Sequence, residues 1–100
     1  MTTPCTVVVV LTPQEGMSDQ VQSVITRELA EIRQGDGCLS YEMFVRVDQT
    51  VVLIESWSNR EAWQAHFDTP AISRLKRDLT PLLSIPAERW EMYPSGEERD

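Results

Sequence analysis

Two helical stripes set among four strand-like runs, in the order strand, helix, strand, strand, helix, strand, predict an α+β domain. This is the ferredoxin-like, split β-α-β-β-α-β class: a four-stranded antiparallel sheet with helices on one face. Three observations carry the prediction. The apolar pattern switches between β-branched runs and a 3.6-residue period in that order. The two middle strands are close enough to form a hairpin. One hundred residues are too few for a second core.

The first strand is "TVVVVLT" (6–12), a continuous β-branched run of the kind found when both faces of a strand are covered. Pro13 and Gly16 break it. From Ser18 the apolar positions Val21, Val24, Ile25, Leu29 and Ile32 form one buried stripe of a helix. Ser18 is the expected cap, and Gly35 or Gly37 the expected end. "CLSYEMFVRV" (38–47) and "VVLIESWS" (51–58) flank the polar "DQT" as a hairpin. "SNRE" (58–61) fits a capping box, in which Ser58 and Glu61 satisfy each other's amides. The short helix that follows carries Ala62, Trp63, His66 and Phe67 on one side. Thr69-Pro70 is a second cap with proline at the first helical position. Ile72, Leu75, Leu79, Leu82 and Leu83 continue toward Pro86, and "ERWEMY" (88–93) is the last strand. The chain thus reads as one domain over 1–100, with its core in 6–93 and a flexible acidic tail at 94–100.

Nothing in this order covers the second face of the sheet. Val52 and Ile54 alternate with Leu53, Glu55 and Trp57, so apolar groups lie on both faces of that strand. An uncovered apolar face implies a partner, and a homodimer packed sheet against sheet is expected.

A net charge of −7 excludes the clustered cations of a nucleic-acid footprint, and disfavours an anionic membrane surface on the same ground. The longest apolar stretch, "VVVVL" (7–11), is far too short to span a bilayer. "MTTPCT" has no basic n-region of a signal peptide. Cys5 and Cys38 have neither metal-ligand spacing nor a disulfide framework. Reduced thiols in a cytoplasmic protein are expected, and no metal site.

The richest stretch chemically is "LIESWSNREAWQAHFDTP" (53–70). Glu55 and Trp57 share one side of their strand. If that side faces the helices, Glu55 is a buried carboxylate with a raised pKa. It is then either a base or a structural group bonded to backbone or Tyr41. His66 lies inward on the helix, three residues after Trp63, and histidine titrates near neutrality. It is either a proton acceptor or a hydrogen-bonded histidine at the edge of the core. Trp63 and Phe67 pack as core or touch a ligand, and Tyr41 either adds a hydroxyl to the same pocket or simply packs. Arg46, Arg74 and Arg89 suit surface ion pairs, or an acidic substituent of a ligand.

"GCLSYE" (37–42), the strand "LIESW" and the helix "NREAWQAHFDTP" resemble the antibiotic biosynthesis monooxygenase family, whose members include cofactor-free quinol monooxygenases. The likeness runs in order and spacing from about Val7 to Tyr93. Its most specific part is the E-x-W strand end followed by a capped helix with A-H-x-x-[ST]-P. The resemblance implies a dimeric α+β barrel with a pocket in each subunit between sheet and helices. It places Trp57 as a pocket wall and His66 as a functional residue.

Chemistry of that kind makes definite demands. Triplet dioxygen does not react directly with closed-shell molecules, but a deprotonated hydroquinone or phenol can give it one electron. A protein then needs an aromatic slot, a base and exclusion of water. No flavin or nicotinamide glycine fingerprint is present. The expectation is therefore a cofactor-independent monooxygenase acting on a quinol or polycyclic phenol with dioxygen. His66 and Glu55 are the catalytic candidates, and Trp57, Tyr41, Trp63 and Phe67 the substrate-binding ones.

Two branches of the family fit less well. The haem-degrading branch uses a first-strand asparagine and a histidine beyond the Thr-Pro pair; here those segments read "VVVV" and "AISRLKRD". The branch that processes a phosphorylated autoinducer often has histidine and an aromatic after Thr-Pro, where this chain has Ala71 and Ile72. The alternatives are an isomerase of a small polar metabolite, or a non-catalytic dimeric domain that binds an aromatic ligand.

Overall fold

β1 (Cys5–Leu11) buries Cys5, Val7, Val9 and Leu11 on one side and leaves Thr6, Val8 and Val10 half-buried on the other. β3 (Val51–Trp57) repeats the alternation with Val51, Leu53, Glu55 and Trp57 inward. This period of two, in a computed structural model that describes residues 3–96, orients the whole sheet. The strand order is β2-β3-β1-β4, with β2 at Cys38–Val45 and β4 at Glu88–Met92, and every pair is antiparallel. The predicted split β-α-β-β-α-β order is thus observed, as a ferredoxin-like α+β fold. The acidic tail expected over 94–100 lies largely outside the described residues.

The helices cover the inward face. α1 (Ser18–Arg33) buries Val21, Val24, Ile25 and Ile32 against it, the predicted stripe apart from Leu29 at its edge. α3 (Pro70–Leu79) packs beside α1 through Ala71, Leu75 and Leu79. Arg74 bridges the two by reaching Glu28 at 2.9 Å and Glu31 at 2.7 Å. No helix among the described residues is long and apolar enough to cross a membrane.

Two local expectations need correction. Ser18 does not cap α1: it is the first helical residue after Met17, and its hydroxyl donates instead to the Gln49 carbonyl at 2.9 Å. Nor does Ser58 cap the next helix, α2 (Arg60–His66). The Ser58 amide is taken by the Gly37 carbonyl at 2.8 Å, so the chain turns one residue later. Asn59 then accepts from the Ala62 amide at 2.8 Å and replaces the Ser58–Glu61 box. Gly35, one of the two glycines expected to end α1, directly follows its C-cap Gln34 and donates its amide to the Ile32 carbonyl at 3.0 Å. Gly37, the other, leads into β2 at φ 80°, in left-handed backbone. Thr69 caps α3 with Pro70 in its first turn, as predicted.

A Cβ on Gly37 would sit 2.5 Å from the Ala62 Cβ and 2.8 Å from the Ser58 Oγ, so the start of β2 lies directly on the start of α2. Gly37→Ala is therefore expected to destabilise the protein by about 1–3 kcal/mol, through the left-handed φ and the clash together. Urea denaturation, with an unchanged m-value, measures this loss.

Candidate active site

Glu55 is a carboxylate on the helix-facing side of the central sheet, and it is only 2% exposed. Its neighbours in register are Tyr41 on β2 and Val7 on β1, both buried. Among the described residues no lysine or arginine forms an ion pair with it. Its Oε1 accepts from the Trp57 indole N–H at 2.7 Å, two residues along the same strand. Burial disfavours the charged form and pushes Glu55 up to about 7, against the opposing pull of the Trp57 bond and of Arg89.

α2 brings His66 over this carboxyl. Asn59 sets where the helix begins, and a period near 3.6 then turns both Trp63 and His66 inward. At the other end Thr69 donates to the His66 carbonyl at 2.7 Å, which ties His66 to the start of α3. The His66 Nδ1 bonds the Trp63 carbonyl oxygen. A carbonyl can only accept, so Nδ1 carries the proton and Nε2 of the neutral ring holds the lone pair. That Nε2 lies 3.8 Å from the Glu55 Oε1. Burial lowers the His66 pKa, assisted by Arg89 and opposed by the bond to Trp63. Burial thus drives both groups toward neutrality. The two groups therefore face each other at 3.8 Å without a fixed salt bridge, and Glu55 loses its proton around neutral pH.

The pair opens on a cavity of about 780 Å³ between sheet and helices. Leu53, Val9 and Leu11 form its floor, and Ile72, Leu75 and Leu79 of α3 one wall. Leu83 to Ala87, the segment leading into β4, forms another. Trp63 and Phe67 also line it, edge to face at 5.5 Å. Tyr41 lines it too, and burial pushes its phenol far above the ordinary value, helped by Glu55 and Cys38. The Tyr41 hydroxyl has no hydrogen-bond partner among the described residues. Since no fully buried side-chain polar atom there goes unpaired, that hydroxyl must open on the cavity.

His66, Glu55, Tyr41, Trp63 and Phe67 therefore come together around one space. Trp57 does not line it. It is buried behind the pair, with its ring 4.6 Å from that of His66 and its N–H on Glu55. Its expected place as a pocket wall is corrected to that of a support, because the inward turn of α2 sets His66 between Trp57 and the cavity. Among the three arginines considered, Arg46 pairs with Asp48, and Arg74 with Glu28 and Glu31. Only Arg89 lines the cavity, facing the Phe67 ring at 5.4 Å. Lys76 and the Leu83–Ala87 segment were not legible as site residues. Nothing in a leucine-and-proline linker marks it as a wall before the sheet closes. No three His, Cys, Asp or Glu side chains among the described residues converge where a metal ion could sit.

An antiparallel sheet backed by helices, with a buried carboxyl and imidazole facing an apolar cavity, defines an α+β domain with a cavity between its layers. A model of the antibiotic biosynthesis monooxygenase family matches residues 4–78, and the chain belongs to that family. Its fold is similar to that of Rv0793 from Mycobacterium tuberculosis, with a TM-score of 0.86 at 22% identity over 92% of this chain and 95% of that one. It is also similar to PA3566 from Pseudomonas aeruginosa, with a TM-score of 0.86 at 23% identity over 96% and 98%. A structure named antibiotic biosynthesis monooxygenase matches with a TM-score of 0.84 at 22% identity over 91% and 98%. No curated protein matches the sequence.

The raised carboxyl has a measurable cost. Glu55 passes from an ordinary value of 4.5 when unfolded to about 7 when folded. Between those values the folded protein binds the extra proton, so stability is full below pH 4.5 and falls as pH rises through 7. His66 acts in the opposite sense, losing stability as pH falls below its unfolded value of 6.5 toward its lowered folded one. Glu55→Gln keeps an oxygen for the Trp57 bond and removes the titration. Its stability relative to the native protein should rise from pH 5 to pH 8, by up to about 3 kcal/mol. Thermal melts of both proteins across that range give the comparison.

Proposed function

We propose that this protein is a cofactor-independent monooxygenase that oxidises a quinol or polycyclic phenol with dioxygen. The observation that carries the reading is the buried Glu55–His66 pair opening on an aromatic-lined cavity. A carboxyl held near 7 beside an imidazole is matched to removing a phenolic proton at neutral pH. The apolar walls suit a flat aromatic ring, and the Tyr41 hydroxyl supplies a hydrogen bond to a ring oxygen.

The reaction balances with no further reductant: a hydroquinone and dioxygen give a hydroxyquinone and water. Ionised Glu55, or the bare His66 Nε2, takes the phenolic proton. The phenolate passes one electron to dioxygen, and the two radicals join to form a C–O bond. The O–O bond and the C–H bond of the oxygenated carbon then break together, and the ring keeps one oxygen as a carbonyl. The other leaves as water with the C–H hydrogen and the proton held by the pair. The chain's own part is to deprotonate, to orient the ring and to keep bulk water from the intermediates. Trp57 acts through Glu55, holding its carboxyl in place.

Oxygen consumption with a panel of hydroquinones tests the reading. His66→Ala is expected to lower turnover by about 10²–10⁴-fold, the usual contribution of a positioned base. Turnover by the native protein should rise with pH around 7, and Glu55→Gln should flatten that rise. A domain that only binds an aromatic ligand predicts no oxygen uptake with any quinol. A structural histidine predicts a lower melting temperature, with turnover per folded molecule intact.

The working form in this proposal is a homodimer joined through the open sheet face. Val8 and Val10 lie between Val52 and Ile54 on one side and Trp90 on the other. Phe44, Ile54 and Trp90 remain 52%, 39% and 50% exposed in the single chain. Apolar groups of that size in adjacent register form a patch that a second copy would bury. Light scattering should give twice the chain mass of 11.4 kDa. Ile54→Asp, which sets a charge in the centre of the face, should shift the protein to monomer.

A further inference from the structure

Among the eight lysines and arginines in the described residues, six are held by carboxylates: Arg27, Arg33, Arg46, Arg60, Arg74 and Arg77. The two without an ion-pair partner among the described residues are Lys76 and Arg89, and both line the cavity. In a chain of net charge −7, carboxylates are in excess, and these two cations are nevertheless left uncommitted. They arrive from different elements. Lys76 projects from α3, whereas Arg89 sits opposite Val9 on the helix-facing side of β4. Both are exposed, so they stand at the mouth while the Glu55–His66 pair lies inside. Arg89 is further placed by the face of Phe67, itself a cavity wall.

We propose that Lys76 and Arg89 form an anion subsite at the cavity mouth, and that the ligand is an aromatic acid. Its ring lies among the apolar walls and its carboxylate meets the two cations. The inference rests on the aromatic-substrate reading and narrows it to molecules that carry an acidic group away from the reacting ring oxygen. A small phosphorylated metabolite would satisfy the cations, but it would leave the apolar interior without a partner. A guanidinium beside an apolar wall suits a planar carboxylate, which it can bind through two parallel N–H groups.

The test uses a redox-inert probe, so it is independent of turnover. 2-Naphthoate and 2-naphthalenemethanol share a ring system and differ in charge, and calorimetric titration gives the affinity of each. The acid should bind about tenfold or more tightly than the alcohol, and added salt should weaken only the acid. Arg89→Met and Lys76→Met should each weaken the acid about three- to tenfold and leave the alcohol unchanged. Arg89→Lys should recover part of the loss. Arg77→Met removes a cation of the same helix that does not line the cavity, and it should change neither affinity. Equal binding of acid and alcohol, or an equal loss in Arg77→Met, would overturn the subsite. Displacement of naphthoate by inorganic phosphate at similar concentration would overturn the aromatic acid in favour of a phosphoryl ligand. Failure of both probes to bind would overturn the subsite together with the aromatic reading beneath it. Charge-dependent naphthoate binding without oxygen uptake from any hydroquinone, acidic ones included, upholds the subsite and removes only the oxygenation.

Discussion

A carboxyl group buried on the inner face of a β-sheet, with no lysine or arginine paired to it among the described residues, is the constraint around which this protein is arranged. Glu55 would relieve its desolvation at once if it lay on the other face of β3, beside Ile54 and Ser56. It stays inside because the period of two that buries Val51, Leu53 and Trp57 carries it along. One indole N–H, and an imidazole nitrogen 3.8 Å away, are what the fold offers in return. The same lack of compensation that costs stability moves the titration of the carboxyl to near neutral pH. A glutamate fully paired with a cation would titrate in the ordinary carboxylate range instead.

The surroundings of that group follow from small local decisions. Because Gly37 tolerates a left-handed φ and has no Cβ, β2 can start against Ala62 and accept the Ser58 amide. That contact delays the helix to Asn59, and the delay sets which faces of α2 look inward. His66 then lands over Glu55, with Trp57 behind it and Trp63 and Phe67 beside it. Thr69 ends the short helix and begins the next, so the two do not form one rod across the cavity. α3 is left free to lean on α1 through Arg74 and to open space between itself and the sheet.

Charge is distributed with the same economy. Most cations of this acidic chain are tied to carboxylates on the surface, where such pairs stabilise little. The cavity is lined mostly by apolar groups around Glu55, His66 and the Tyr41 phenol, and among the described residues the cations without an ion-pair partner, Lys76 and Arg89, both border it. On the open side of the sheet Phe44, Val8, Ile54 and Trp90 face outward, with Glu42 beside Ile54 and Glu88 beside Val10 on the same face.

Much of this was legible in the sequence. The alternation in "VVLIESW" and the stripe Val21, Val24, Ile25 and Ile32 determined the element order and the inward side of β3, because burial periodicity is a local property of the chain. The same reading placed Glu55 and His66 on facing surfaces and put the second cap at Thr69-Pro70. It misplaced the first two caps, since a serine hydroxyl cannot be assigned to an amide until its competitors are known. Ser18 is drawn to Gln49, and the Ser58 amide to Gly37, across gaps of 31 and 21 residues in the chain. Only the tertiary structure decided that Trp57 stands behind the pair, that Leu83 to Ala87 lines the cavity, and that Arg89 and Lys76 both border it. Each of these depends on the distance between elements far apart in the chain, set by how α3 packs on α1 and how β4 joins the edge of β1. No spacing within a segment encodes that distance.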